Sequence, residues 1–107
     1  AVQHLLVDML QDVELARVAA YHALWAQDAA PPAERARATA LAKAFASEAL
    51  PRVGASAIQV FGGVGVTAEL DVHRYYRRLL SLSLLCGDAS HQLERVAEYA
   101  LAPGERR

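Results

Sequence analysis

Apolar residues recur at three- and four-residue intervals along almost the whole chain, and that spacing leaves room for little besides helices. Val2, Leu5, Leu6, Met9, Val13, Ala16, Ala20 and Leu24 set the pattern. It is one face of an α-helix, and it predicts a first helix running to about Gln27. "DAAPPAE" interrupts it. Pro32 or Ala33 opens the second helix, since a first-turn residue needs no backbone N–H. Leu41, Phe45, Ala49, Val53, Ala57, Ile58 and Phe61 are its apolar positions, with Pro51 among them. Proline lacks the N–H and crowds the preceding turn. One kinked helix ending near Gly62 is therefore expected. After the connector "VGVTAELD", Thr67 or Asp71 caps a third helix that ends at Gly87. Val72, Tyr75, Tyr76, Leu79 and Leu82 to Leu85 form its inward side. Asp88 or Ser90 caps a fourth helix, with Leu93, Val96, Ala97, Ala100 and Leu101 inward and Pro103 and Gly104 stopping it. The fold class expected is all-α, an antiparallel bundle of about four helices.

The 107 residues suit one domain, residues 1–107, and show no internal repeat. A domain of this size can build a core but is at the lean end of independent stability. Hydrophobic residues make up 54 % of the chain, much of it alanine. A net charge of −1 gives no pull toward nucleic acid or an anionic membrane. No apolar run approaches the ~20 residues of a membrane span, and no signal peptide is visible. Cys86, the single cysteine, excludes an intrachain disulfide and a multi-cysteine metal site. A reducing, cytoplasmic location fits that usage. The opening "AVQHLLVDML" has no initiator Met and no capping residue before the pattern begins. A fragment of a larger subunit is the expectation.

Gly62, Gly63 and Gly65 fall within "FGGVG". Each costs a helix about 1 kcal/mol relative to alanine. Two readings stand. One glycine suffices as a left-handed helix cap. Several together suit a turn whose bare backbone lets a ligand approach closely. The pattern is neither a Walker loop nor a dinucleotide fingerprint, because no Gly-Lys-Ser/Thr follows and no strand precedes.

The stretch "AIQVFGGVGVTAELDVHRYYRRLLSLSLLCGDASHQLERVA" resembles the C-terminal helical domain of acyl-CoA dehydrogenases. The shared elements are Gln59, Gly62, Gly63, Gly65, Thr67, Glu69, Tyr76, Arg77 and the polar turn Gly87 to Gln92. "FASEALPRVGASAIQVFGG" and "AVQHLLVDMLQDVELARVAAYHALW" resemble the two preceding family helices, so the likeness covers essentially the whole chain. It implies a flavoenzyme that uses FAD to remove two hydrogens from an acyl-CoA in fatty acid or lipid catabolism. It also implies a dimer or tetramer of one or two kinds of subunit, and an electron-accepting flavoprotein. Gln59 and the backbone at Gly62 and Gly63 would meet the pyrophosphate or adenosine part of a neighbouring subunit's FAD.

Many family members place a glutamate base in a Tyr-Glu-Gly-Thr turn before the last helix. The resemblance puts Gly87, Asp88, Ala89 and Ser90 on that turn, and Gln92 on a family Gln near the adenosine side. Ser90 and Gln92 thus join Gln59, Gly62 and Gly63 as the implied cofactor set. Asp88 has two readings, catalytic base or helix N-cap. Its carboxylate is one methylene short of the glutamate, and Arg78 stands where many members have Asp. Both departures resemble divergent members, some of which carry the base on a helix outside this stretch and others of which, as partner subunits, lack it. The alternative function is therefore a non-catalytic partner or structural subunit of the same fold.

The histidines His4, His22, His73 and His91 share no ligand spacing, and no metal is expected. Tyr21, Trp25 and Phe45 read as core or interface, Arg74, Arg77 and Arg78 as a solvated or salt-bridged face, and Cys86 as a small apolar filler.

Overall fold

The computed structural model describes residues 2–64 and 69–101, without the side chains of residues 63, 64, 69, 70 and 99–101. Four helices follow one another: α1 Val2–Ala29, α2 Pro32–Val64, α3 Glu69–Leu84 and α4 Ala89–Leu101. The described residues contain no strand. The all-α, four-helix expectation holds. Pro32 opens α2 as its first helical residue, where its fixed φ costs nothing. α2 is one continuous helix across Pro51.

α2 is the spine. α1, α3 and α4 all pack against it. α1 runs antiparallel to it, shown by two cross-ties. At one end the Gln27 amide donates to Thr39 Oγ1 at 3.0 Å. At the other, Arg52 Nε and Nη2 each donate to the Asp12 carboxylate at 3.2 Å. That pairing raises the Arg52 pKa above its usual value, first through the hydrogen bond and then through the charge of Asp12. α3 also runs antiparallel to α2. A Cβ on Gly54 would stand 2.8 Å from the Tyr76 ring and 3.4 Å from Tyr76 Cα. The missing side chain at Gly54 is what lets α3 approach there. Arg95 of α4 lies near the start of α2, sharing a groove with Pro32, Arg35, Ala36 and Thr39.

The core is built from alanine. Among the described residues, Ala16, Ala26, Ala38, Ala40, Ala44 and Ala49 are the buried apolar ones, and no large side chain is fully buried. Small residues bring helix axes close together, but each removes little apolar area from water. The molecule is long, with extents of 56 × 23 × 23 Å.

Several inward assignments need correction. Tyr75, Leu84 and Leu85 are exposed, as are Leu93 on α4 and Val2, Leu6, Leu24 and Leu41 on the first two helices. Gln92 is the buried polar residue among the described side chains of α4. Tyr21 and Trp25 are exposed rather than core, and the Trp25 ring stacks on His22 with centroids 5.6 Å apart. α3 ends at Leu84, three residues before Gly87. Asp71 lies within α3 and cannot be its cap. Thr67, Gly65, Pro103 and Gly104 lie outside the described residues.

Candidate functional site

The glycines do not stop α2 at Gly62. The helix continues through Gly62 and Gly63 to Val64, and among the described residues only Cys86 and Gly87 have positive φ. Left-handed capping at Gly62 or Gly63 is therefore excluded. Their N–H groups already bond to the carbonyls one turn back, as in any helix interior. A last turn leaves its carbonyls unpaired. Among the described residues, the backbone N–H groups of Gly62 and Gly63 are spent inside the helix, while the Gln59 amide can both donate and accept. Gln59 and Gly62 are exposed on this end of α2.

The second cluster sits at the α3–α4 turn. Cys86 (φ 61°) and Gly87 (φ 100°) adopt successive left-handed conformations that reverse the chain. Gly87 N–H donates to Leu84 O at 3.3 Å. A Cβ on Gly87 would collide with the His91 imidazole and approach Gln92 Nε2 to 3.1 Å. A residue with a Cβ here would meet both the left-handed φ and the His91 ring. Asp88 Oδ1 accepts the His91 N–H at 2.9 Å, the N-cap bond three residues into a helix. Asp88 and Ser90 are exposed. Gln92 turns inward and donates its amide to Cys86 O at 2.7 Å. Cys86 itself is exposed, so it fills no apolar gap. Its left-handed backbone is strained for a residue with a Cβ.

The turn is tied to α2 as well. Lys43 Nζ donates to Leu82 O at 3.1 Å, to Ser83 O at 3.0 Å and to Ser47 Oγ at 2.7 Å. It stands at one side of a 260 Å³ groove lined by Leu50, Leu79, Leu82 and Leu85. Lys43 carried no signal in the sequence, since one lysine on an alanine-rich helix looks like any solvated residue.

The structure thus brings Asp88, Ser90 and Gln92 together, and Gln59, Gly62 and Gly63 together, but not the two sets. Lys43 marks the level of the turn on α2. From residue 43 to residue 62 is roughly 28 Å of helix at 1.5 Å per residue. Arg74 pairs with Asp71 at 3.8 Å on an exposed face of α3. Among the described residues no group of His, Cys, Asp and Glu could hold a metal ion. No described helix is long and apolar enough to cross a membrane.

The described residues thus define an all-α domain with an exposed glycine-bearing end on α2 and a capped polar turn between α3 and α4. Residues 1–101 match the family model for the acyl-CoA dehydrogenase C-terminal domain, and the chain belongs to that family. It is 34 % identical over 96 residues to acyl-CoA dehydrogenase IpdE2 of Mycolicibacterium smegmatis, covering 90 % of this chain and 29 % of the relative. It is 35 % identical over all 107 residues to acyl-CoA dehydrogenase FadE34 of Mycobacterium tuberculosis, covering 15 % of that protein. To the mitochondrial short-chain specific acyl-CoA dehydrogenase of Rattus norvegicus it is 37 % identical over 76 residues, covering 71 % of this chain and 18 % of the relative. The chain spans less than a third of the length of these curated relatives. No solved structure matches it.

Proposed function

We propose that this chain is the C-terminal domain of a larger acyl-CoA dehydrogenase subunit, and that it helps to hold FAD across a subunit interface. The observation that carries this reading is the separation of the two clusters along α2. Contacts roughly 28 Å apart on one rigid helix suit two cofactor sites, one at each end, better than one. Gln59, Gly62 and Gly63 would serve a neighbouring subunit's FAD. The Gln59 amide, which both donates and accepts, would meet the pyrophosphate or the adenosine part. Ser90 and the turn that Gln92 braces would face the subunit's own cofactor. When bound, FAD supplies the hydride acceptor of an α,β-dehydrogenation. Asp88 is the turn's one carboxylate and stands exposed, where a base could take the α-proton of an acyl-CoA. The electron acceptor would be a second flavoprotein, and the location cytoplasmic.

A specific observation favours a second reading, in which the domain belongs to a partner subunit without its own base. Asp88 already spends one oxygen capping α4. The visible spectrum of the intact protein carrying this chain separates the readings. A flavin band that bleaches on adding acyl-CoA is expected from the first. A flavin band that no acyl-CoA bleaches supports the second. A colourless protein overturns the cofactor-binding role. Gly63→Val in the same protein is expected to lower flavin retention more than helicity. Full retention would remove the glycine end from the cofactor site.

A further inference from the structure

We infer that Lys43 is the positioning residue of the α3–α4 turn, setting where that turn stands relative to the spine of the domain. An ammonium has three N–H donors and no acceptor. All three are matched by Ser47 Oγ, Leu82 O and Ser83 O. Two of those acceptors are carbonyls from the last turn of α3: Leu82 O, which also accepts the Leu85 N–H at 3.2 Å, and Ser83 O. A cation there also meets the negative end of the helix dipole. The groove beside it is lined by leucines, with Leu50 and Leu79 half-buried and Leu82 and Leu85 exposed.

The anchored carbonyls lead directly into the turn. Two residues after Ser83 the chain leaves α3, passes through the left-handed pair Cys86 and Gly87, and reaches Asp88. On the far side the Gln92 amide holds Cys86 O at 2.7 Å. The turn is therefore suspended between an anchor on α2 and an anchor on α4. Lys43 spends its three donors on Ser47 and the end of α3, so it acts on Asp88 and Gln92 through the backbone that carries them. Its importance for catalysis rests on the proposed reading of that turn as part of the cofactor site.

The test is Lys43→Met in the intact protein, with amide hydrogen exchange read peptide by peptide. Exchange across residues 84–92 is expected to rise about tenfold, while the α1 peptides stay within about twofold. Lys43→Arg, which restores a cation with several donors, should recover most of the protection. Unchanged exchange at 84–92, or a rise spread evenly over all four helices, would overturn the assignment. If Lys43→Met does not fold, Ser47→Ala removes one of the three acceptors. A rise of about twofold confined to 84–92 then supports the role, and none overturns it. Flavin release measured on the same variants separates the two proposals. A loosened turn with faster flavin release supports both. A loosened turn with flavin binding and turnover unchanged keeps Lys43 as the anchor and removes the turn from the cofactor site.

Discussion

Gly87 does two jobs that no other residue can do together. It takes φ 100° and leaves room for the His91 ring and the Gln92 amide. Gly87→Ala is expected to cost about 2 kcal/mol, part left-handed strain and part collision. Thermal unfolding of the double variant Gly87→Ala with His91→Ala separates the parts. Removing the ring should recover the collision and leave the strain. Full recovery would mean that the left-handed backbone relaxes at no cost. One residue on, the cap and the base make different demands on Asp88. Asparagine caps as well as aspartate, whereas alanine loses about 1 kcal/mol. Asp88→Asn should therefore keep the melting temperature that Asp88→Ala lowers. Turnover in Asp88→Asn decides the chemistry: loss assigns the base to Asp88, and retention leaves it a cap with the base elsewhere. The cap was legible because Asp before an amphipathic run is a local signal. The inward turn of Gln92 was not. It answers a carbonyl six residues back, and a hydrogen-bonded amide can be buried where the periodicity points to Leu93.

At the scale of elements, the helices were legible and their faces only partly so. Pro32 punctuated the chain as expected, and Pro51 did not break it. Gly62 and Gly63 did not break it either. Each glycine costs about 1 kcal/mol, and the propagation of a helix more than thirty residues long tolerates that at its end. The inward faces misled because α2 serves three partners. Its buried positions are alanines spread around it, and alanine carries little pattern. Gly54 was equally silent, yet it sets the α2–α3 approach. Gly54→Ala adds about 1 kcal/mol of helix propensity, but its methyl would press on Tyr76 Cδ1 at 2.8 Å and Leu79 Cδ1 at 3.2 Å. Overpacking of that kind costs about 1–3 kcal/mol, so a net loss is expected in the urea midpoint. In a Tyr76→Ala background the same substitution should become stabilising. A gain in both backgrounds would show that α3 yields at no cost.

The whole molecule shows more of itself to water than a compact chain would. Its surface is 7448 Å², where a folded monomer of this length exposes about 5800 Å². Its radius of gyration is 16.5 Å, against about 13 Å for a compact domain of this length. The difference in area is about what two faces of ordinary protein interfaces bury. Much of it is apolar: Leu6, Leu10, Val18, Tyr21, Leu24 and Trp25 stand exposed along α1, on the side away from buried Ala16 and Ala26. A patch of that extent marks a surface that something covers in the working protein. On the proposed reading the cover is the remainder of the subunit together with a neighbouring subunit. An alanine core, with no large side chain fully buried among the described residues, supplies little stability without it. The isolated 107-residue chain is therefore expected to sediment above its monomer mass and to bind an apolar dye strongly. Leu10→Glu combined with Val18→Glu should reduce both, since two carboxylates on that stripe oppose its burial. The same pair in the intact protein should weaken assembly while leaving helix content in place. A monomeric isolated chain that binds no dye and unfolds in one sharp transition would show that the alanine core suffices. The exposed stripe would then need no cover, and the case for a domain built to be completed by its surroundings would fall with it.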